Sequence, residues 1–418
     1  MSRFYRLLTG ADGDLRAGEP RNFFVFVASH FLTKLGDALT NPKTTLTWLA
    51  ATLGAASWIT ALLVPLRESG SMLVQVALAG GVERFHQRKW AWSLGALLQA
   101  LCILAMGVGA LFLRGDAAGG MILGLLALFA LSRSLSSVAS KDVLGRTLPK
   151  ARRGQATGWS ASAAGMATLA IGLAAVLLGS DTFPASGYAV LLAGAALMWL
   201  AAAALFTGIR EPSAEARPHG SNTRLRMLRG DRHLQRFVVV RGLLTCTALS
   251  APYYVMLGQS SAHSTPRTLA AFIVAGGLAS MLGGPVFGRL SDRSSRTVMM
   301  LGGACGGALG IGLALTALLR QEVLAVPGVM AAFYFLLSLA HQAVRIGRKT
   351  YVVDMAEGNR RTDYVAVSNS AISLVLLGIG GAAAALSSWS VPAVLALLAV
   401  MGLVGAFMSL RLPRVVSG

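Results

Sequence analysis

Gly288-Arg289-Leu290-Ser291-Asp292-Arg293-Ser294-Ser295-Arg296 sets four charged side chains into nine positions, between apolar runs near 267–290 and 297–319. Each flanking run has the length that a helix needs to cross a bilayer core, about twenty residues. A charged hinge between two such runs reads as a surface loop joining two spanning helices. Outward from it the same alternation covers the whole chain. Apolar runs fall near 22–40, 55–82, 90–113, 118–141, 155–179 and 184–209. A second set falls near 237–257, 267–290, 297–319, 323–347, 364–386 and 389–410. The sequence therefore predicts an all-α membrane protein with twelve transmembrane helices.

Composition agrees. Of 418 residues, 55% are hydrophobic and 13% charged, with a mean hydropathy of +0.63. A soluble domain is nearer 45–50% apolar and carries about twice that share of charge. The net charge of +20 would suggest nucleic acid in a soluble protein, but its distribution decides otherwise. Of 37 Lys and Arg, 28 fall in the termini and loops of one face. Four (Lys43, Arg114, Arg267 and Arg320) fall on the other, and five lie inside spans. Such asymmetry in short loops is the positive-inside pattern, which predicts a multi-pass protein of the inner (plasma) membrane with both termini cytoplasmic. No nucleic-acid partner is implied. Cys102, Cys246 and Cys305 lie in apolar runs without metal-ligand neighbours, so neither a disulfide framework nor a metal site is expected. The polar, basic residues 1–21 do not read as a cleavable signal, and the first apolar run is taken as the first span.

The longest basic connection, 210–236, holds Pro212, Pro218 and seven arginines. It divides the chain into expected bundles at 1–209 and 237–418. A shift of 208 residues lays Gly80–Arg88 over Gly288–Arg296, Lys141 over Lys349, Arg152-Arg153 over Arg360-Arg361, and Ser160 over Ser368. One offset joining three loop regions argues for duplication, hence two pseudo-symmetric six-helix bundles.

The opening hinge resembles the signature loop of the major facilitator superfamily, Gly-x-Leu-x-Asp-Arg-x-Gly-Arg, with Ser295 at the second glycine. Its first-half counterpart, Gly80-Gly81-Val82-Glu83-Arg84-Phe85-His86-Gln87-Arg88-Lys89, is more degenerate, with its acid one place early at Glu83. Arg133 resembles the family's embedded arginine of the fourth helix. Gly158–Gly165 lacks the proline of the family's drug/proton antiporter motif. The resemblance implies alternating access, with latch or gating roles for Glu83, Arg88, Gly288, Asp292, Arg293 and Arg296. Gly288 is expected to let two helices approach closely. Asp142 and Asp354, at equivalent helix ends of the two halves, are expected to pair with loop arginines as a cytoplasmic gate.

Ionisable groups at span depth cost several kcal/mol unless they face a cavity or one another. Lys34 and Asp37 lie three apart on the first helix, within pairing reach. Arg67 and Glu68 are adjacent in the second and cannot share a partner. Arg133, Arg241 and Arg345 lie in the fourth, seventh and tenth, with His341 four residues before Arg345. Five cations against two acids leave a surplus that an anion could complete. Arginine is suited to forked recognition of carboxylate or phosphate. Lys34, Arg67, Arg133, Arg241 and Arg345 are therefore the candidate substrate-binding residues. Asp37, Glu68 and His341 are the candidate proton carriers. The plainer readings stand beside these: a structural Lys34–Asp37 pair, Arg241 and Arg345 snorkelling to headgroups, His341 as an interhelical hydrogen-bonder, and Trp58, Tyr253 and Tyr254 as core or interface residues.

No phosphate-binding loop, HExxH or nucleophile elbow occurs, so neither an ATP-driven pump nor an enzyme is expected, and no cofactor. The expected function is a monomeric, proton-coupled secondary transporter of a small anionic or zwitterionic solute, with export favoured. A multidrug/proton antiporter and a non-transporting membrane receptor are the alternatives.

Overall fold

The computed structural model describes residues 2–9, 18–73, 86–178, 185–212, 231–261, 265–326, 328–355 and 360–413. The first half contains α1 (Ser2–Thr9), α2 (Glu19–Leu39), α3 (Thr45–Thr52), α4 (Ser57–Leu73), α5 (Arg88–Phe112), α6 (Gly115–Thr147), α7 (Lys150–Leu178) and α8 (Ala185–Thr207). The second contains α9 (Arg232–Leu244), α10 (Cys246–Leu249), α11 (Ala251–Ser261), α12 (Pro266–Leu319), α13 (Gln321–Leu324), α14 (Val329–Asp354), α15 (Arg360–Ser387) and α16 (Val391–Leu410).

Ten helical segments among the described residues are long and apolar enough to cross a membrane. Of the twelve expected spans, the two outside that measure are α2 and α4. The first carries Lys34 and Asp37, and the second, described as far as Leu73, carries Arg67 and Glu68. These charges are the ones that build the site. Helix α12 joins two spans across Ser294, whose φ of −163° and ψ of 95° break the helical path within the charged hinge. One further span, Arg232–Ser260, is broken at Thr245 and Ser250 into α9, α10 and α11.

In the first half α5 packs on α6 and α8, while α2 packs on α7 and α8. In the second, α12 packs on α14 and α16. Apolar side chains cover the outer surface: Val190, Leu197, Leu318 and Leu374 are each more than 60% exposed. Water would not tolerate that surface, whereas lipid solvates it.

The halves touch along α4 with α15 and α7 with α12. Contact is tight toward the face that holds Ser57 and Ser387, opposite the basic loops. There Ser57 Oγ donates to Ser387 O at 3.2 Å, and Gln259 Nε2 donates to Thr52 Oγ1 at 3.0 Å. A Cβ on Gly380 would fall 2.3 Å from Pro65 Cγ, so only glycine admits α15 this close to α4. On α7, Gly172 stands against Val274 in the same way. Toward the basic face, Cβ atoms on Gly158 and Gly165 of α7 and on Gly277, Gly284 and Gly288 of α12 would meet no atom within 4 Å. The contacts at Ser57, Gln259 and Gly380 join the halves at the face opposite the basic loops.

Several expectations change here. Gly288 does not serve a close helix approach, because nothing lies near it. Cys305 is exposed, not buried, while Cys102 and Cys246 are buried. The residues after Asn41-Pro42 form the short helix α3, with Trp48 1% exposed. It packs inside the protein against α4 and α11. Tyr253 and Tyr254 are core, and Trp58 is 43% exposed.

Candidate functional site

Asp37 sits between two guanidinium groups. Arg67 Nη2 of α4 donates to Asp37 Oδ1 at 2.8 Å, and Arg133 Nη1 of α6 donates to Oδ2. The Arg67 guanidinium also lies 4.5 Å from the ring centroid of Phe129, so its flat face is covered while one edge meets the acid. One carboxylate thus serves two cations and leaves a net positive charge.

The expected Lys34–Asp37 pair is not made. Lys34 Nζ turns to α7, donating to Ser160 Oγ at 2.8 Å and Thr157 O at 3.1 Å. In the second half Arg241 repeats the arrangement, with Nη1 donating to Ser368 Oγ at 2.9 Å and Nη2 to Asn369 Oδ1 at 2.8 Å. Ser160 and Ser368 are related by the 208-residue offset, and both are fully buried. In each half, then, a cation from the first helix is held by hydroxyl and amide or carbonyl groups of the fifth. Arg241 is 6% exposed and does not snorkel.

The second acid, Glu68, faces a different partner from Arg67, as adjacency on a helix requires. Its Oε1 lies 3.5 Å from Lys43 Nζ. Lys43 follows α2 and reads in the sequence as a loop charge of the opposite face. It points inward, and its Nζ is also 3.3 Å from His341 Nε2 on α14. His341 Nδ1 lies 3.1 Å from Thr247 Oγ1 of α10. Both halves therefore contribute to one polar cluster beside the broken helix.

On α14, His341, Arg345 and Arg348 recur at i, i+4 and i+7, hence on one face. Arg345 is exposed, and Lys34, Lys43 and His341 all lie within its electrostatic reach. Arg348 bears in the same way on Glu68 and Lys43. Among the described residues no carboxylate lies within ion-pair distance of Lys34, Arg345 or Arg348. With Lys43 and Arg348 added, seven cations share this region with two acids.

The basic face carries its own network. Arg88 Nε donates to Asp142 Oδ2 at 3.1 Å, and Arg146 Nη2 lies 2.9 Å from the same oxygen. Both partners of Asp142 belong to its own half. Glu211 accepts from the backbone N–H groups of Arg88 (3.1 Å) and Lys89 (2.8 Å), which caps the start of α5. Lys89 Nζ caps the end of α8 through Thr207 O and Ile209 O. In the second half Arg296 Nη1 caps the end of α16 through Leu412 O at 3.0 Å and Leu410 O. Arg293 is exposed. Glu83 and the side chains of Asp292 and Asp354 lie outside the described residues. At the first-half end α1 is anchored by Tyr5, whose hydroxyl donates to Glu19. Burial and that bond push the Tyr5 hydroxyl up to about 12.

Sequence reasoning missed Lys43, Arg348, Thr247 and Glu211. The seven-residue spacing of Arg348 from His341 was an available signal, and so was Pro42, which stands beside Lys43 in the break between α2 and α3. Nothing local marks Glu211 as a helix cap for a segment more than a hundred residues away.

The Major Facilitator Superfamily model matches residues 26–326 and 243–417. A search of curated proteins finds no matching sequence. Among solved structures, a POT family transporter in complex with a thioalcohol-conjugated peptide is similar, with a TM-score of 0.73 at 11% identity over 94% of this chain and 96% of that one. A D-xylose–proton symporter gives 0.71 at 14% identity, over 94% and 98%. The xylose transporter XylE from E. coli, in a partially occluded inward-open conformation, gives 0.68 at 15% identity, over 96% and 100%. Similarity at this level of identity reports the fold alone.

Proposed function

This chain belongs to the major facilitator superfamily, and from that premise we propose that it is a proton-coupled transporter of a small anionic or zwitterionic organic solute. The observation that carries the substrate class is the surplus of cations between the halves. Lys34 of the first half and Arg345 and Arg348 of the second lack a carboxylate at ion-pair distance among the described residues, and Arg67 and Arg133 share one. A cationic solute would be repelled where screening is weak. A solute carboxylate or phosphate would bridge Lys34 and Arg345 across the gap, drawing the halves together.

We place the basic face in the cytoplasm on the loop-charge asymmetry. With the halves joined at the opposite face by Ser57–Ser387 and Gln259–Thr52, we take the anion to load from the cytoplasm, and the direction we propose is export by a monomer in the plasma membrane. Asp37, Glu68 and His341 are the proton-carrying groups in this reading, in keeping with a D-xylose–proton symporter among the similar structures.

The test is a thermal-shift series on purified protein against mono- and dicarboxylates and phosphate esters, run on wild type and Arg345→Ala. A ligand at about a hundred times its Kd adds about 2.7 kcal/mol of stability. The reading expects anions to stabilise the wild type and not the variant. If cations or neutral solutes stabilise instead, or if Arg345→Ala responds fully to the same anion, the substrate class is wrong. Coupling is tested in proteoliposomes: Asp37→Asn or Glu68→Gln should abolish gradient-driven accumulation.

A further inference from the structure

Helix α1 reads Ser2-Arg3-Phe4-Tyr5-Arg6-Leu7-Leu8-Thr9 and takes no part in the charge clusters between the halves. Its residues sort by face. Tyr5 and Thr9, four apart, are 0% and 4% exposed. Phe4 and Leu7, three apart on another face, are 58% and 83% exposed, and Arg3 and Arg6 run beside them, also exposed. Eight residues do not hold a helix in water unaided, so α1 depends on what surrounds it.

The protein holds its inner face. The Tyr5 hydroxyl donates to Glu19 in the first turn of α2, and the Tyr5 ring meets Phe23 edge-on at 5.2 Å. Phe4 stacks on Phe24 at 5.8 Å. At the other end Thr9 O accepts from Arg152 Nη1 and, at 3.2 Å, from Gln155 Nε2, both on α7. Arg152 opens the apolar stretch Arg152–Leu177, so α1 is fixed at the level where that span ends.

Two more exposed arginines stand at the same end of α2. Asn22 Nδ2 donates to Arg210 O at 3.0 Å, and Arg210 N donates to Asn22 Oδ1 at 2.8 Å. This exchange sets the side chain of Arg210 beside Gly18 and that of Arg21 beside Gly208. Among the described residues here the acids are Glu19 and Glu211, both buried and both engaged as acceptors. An apolar stripe flanked by guanidinium groups, at the edge of a span, is the pattern of a helix lying in a membrane interface. Water solvates Phe4 and Leu7 poorly, and the like charges repel a second copy of the same patch. Phosphate oxygens match the arginine fork.

We propose that α1 is a surface anchor for anionic phospholipid. Phe4 and Leu7 enter the leaflet at the basic face, and Arg3, Arg6, Arg21 and Arg210 gather its phosphate headgroups. Being bonded to both α2 and α7, the anchor sets that lipid against the two helices that also meet through Lys34 and Ser160. It is independent of the solute carried and of proton coupling.

The test places a nitroxide at Leu7→Cys in full-length Cys305→Ser protein, reconstituted in phosphatidylcholine vesicles without or with about 30% phosphatidylglycerol. Power saturation reads collisions with oxygen, which concentrates in lipid, and with a water-soluble nickel chelate. A label at Leu197→Cys, 63% exposed on a span, sets the lipid limit, and free nitroxide sets the aqueous one. Each basic side chain near an anionic surface strengthens attachment about fivefold, so phosphatidylglycerol should lower nickel collisions at Leu7→Cys about threefold or more. Salt at about 0.5 M should reverse the fall. Arg3→Gln combined with Arg21→Gln and Arg210→Gln alters exposed side chains alone, and should abolish the response to phosphatidylglycerol without lowering Tm. Nickel collisions at the aqueous limit in phosphatidylglycerol overturn the anchor. Equal protection in the two lipids, or an undiminished response in the triple variant, overturns the anionic partner and the proposal with it. Protection that persists in detergent without phospholipid means that protein covers this face, and does the same.

Discussion

Replacing Asp37 with asparagine removes the one charge that two guanidinium groups share. A unit pair about 4 Å apart is worth about 4 kcal/mol at an effective dielectric near 20. Two such attractions give a gross loss of about 8 kcal/mol, but most of it does not survive. The carboxylate's own desolvation cost disappears with its charge. Arg133, with 37% of its side chain exposed, is screened and free to turn toward solvent. The part that remains belongs to Arg67, whose side chain is 10% exposed and stacked on Phe129. Leaving a buried charge without its partner costs about 3–5 kcal/mol, and the lower figure fits a site open on one side. With an unfolding entropy of about 2.1 cal/mol/K per residue over 418 residues, a loss of about 3 kcal/mol lowers Tm by about 3 °C. The assay is thermal denaturation followed by a thiol-reactive dye. Buried Cys102 and Cys246 serve as reporters, and a Cys305→Ser background removes the exposed thiol. Asp37→Asn combined with Arg67→Met should recover at least half of the loss, because the stranded guanidinium is gone. An unchanged Tm in the single variant, or a double variant less stable than the single, would refute the shared-carboxylate account.

Glu211→Ala strips the acceptor from two backbone N–H groups at the buried start of α5, for a loss of about 1–2 kcal/mol in the same assay. Glu211→Gln, which retains one acceptor oxygen, should lose less. Gly380→Ala drives a methyl group into Pro65, and overpacking of this kind costs about 1–3 kcal/mol. Pro65→Ala in the same chain should restore part of it. Arg241→Lys replaces a fork that reaches Ser368 and Asn369 with a point charge that reaches one of them. A loss of about 1 kcal/mol is expected, while Arg241→Lys together with Ser368→Ala should add little more.

Pairing among the embedded charges shows where sequence spacing stops being informative. Lys34 and Asp37 are three apart on α2, which brings them within reach without making them partners. Two arginines from α4 and α6 take the carboxylate, since a guanidinium presents a fork that an ammonium lacks. Lys34 then satisfies itself on hydroxyl and carbonyl groups of α7. Arg67 and Glu68, by contrast, part as their adjacency requires, because that constraint is local to one helix. Asp142 does pair with arginines, as its helix-end position suggests. Both lie in its own half, so these pairs do not bridge the halves.

What the sequence by itself determined is the part of the structure that depends on one dimension. Membrane residence, the order of spans and loops, the charged hinge at Ser294 and the duplicated serines at 160 and 368 all follow from hydropathy, charge and offset along the chain. Tertiary structure decided which side chains meet. Lys43, a loop residue by its position, becomes the link between Glu68 and His341 because it stands in the break before the buried helix α3 and points inward. Glu211 caps a helix that begins more than a hundred residues earlier. Hydrogen bonds and ion pairs are fixed over a few ångströms in space, and a linear pattern carries that distance only within a single helix.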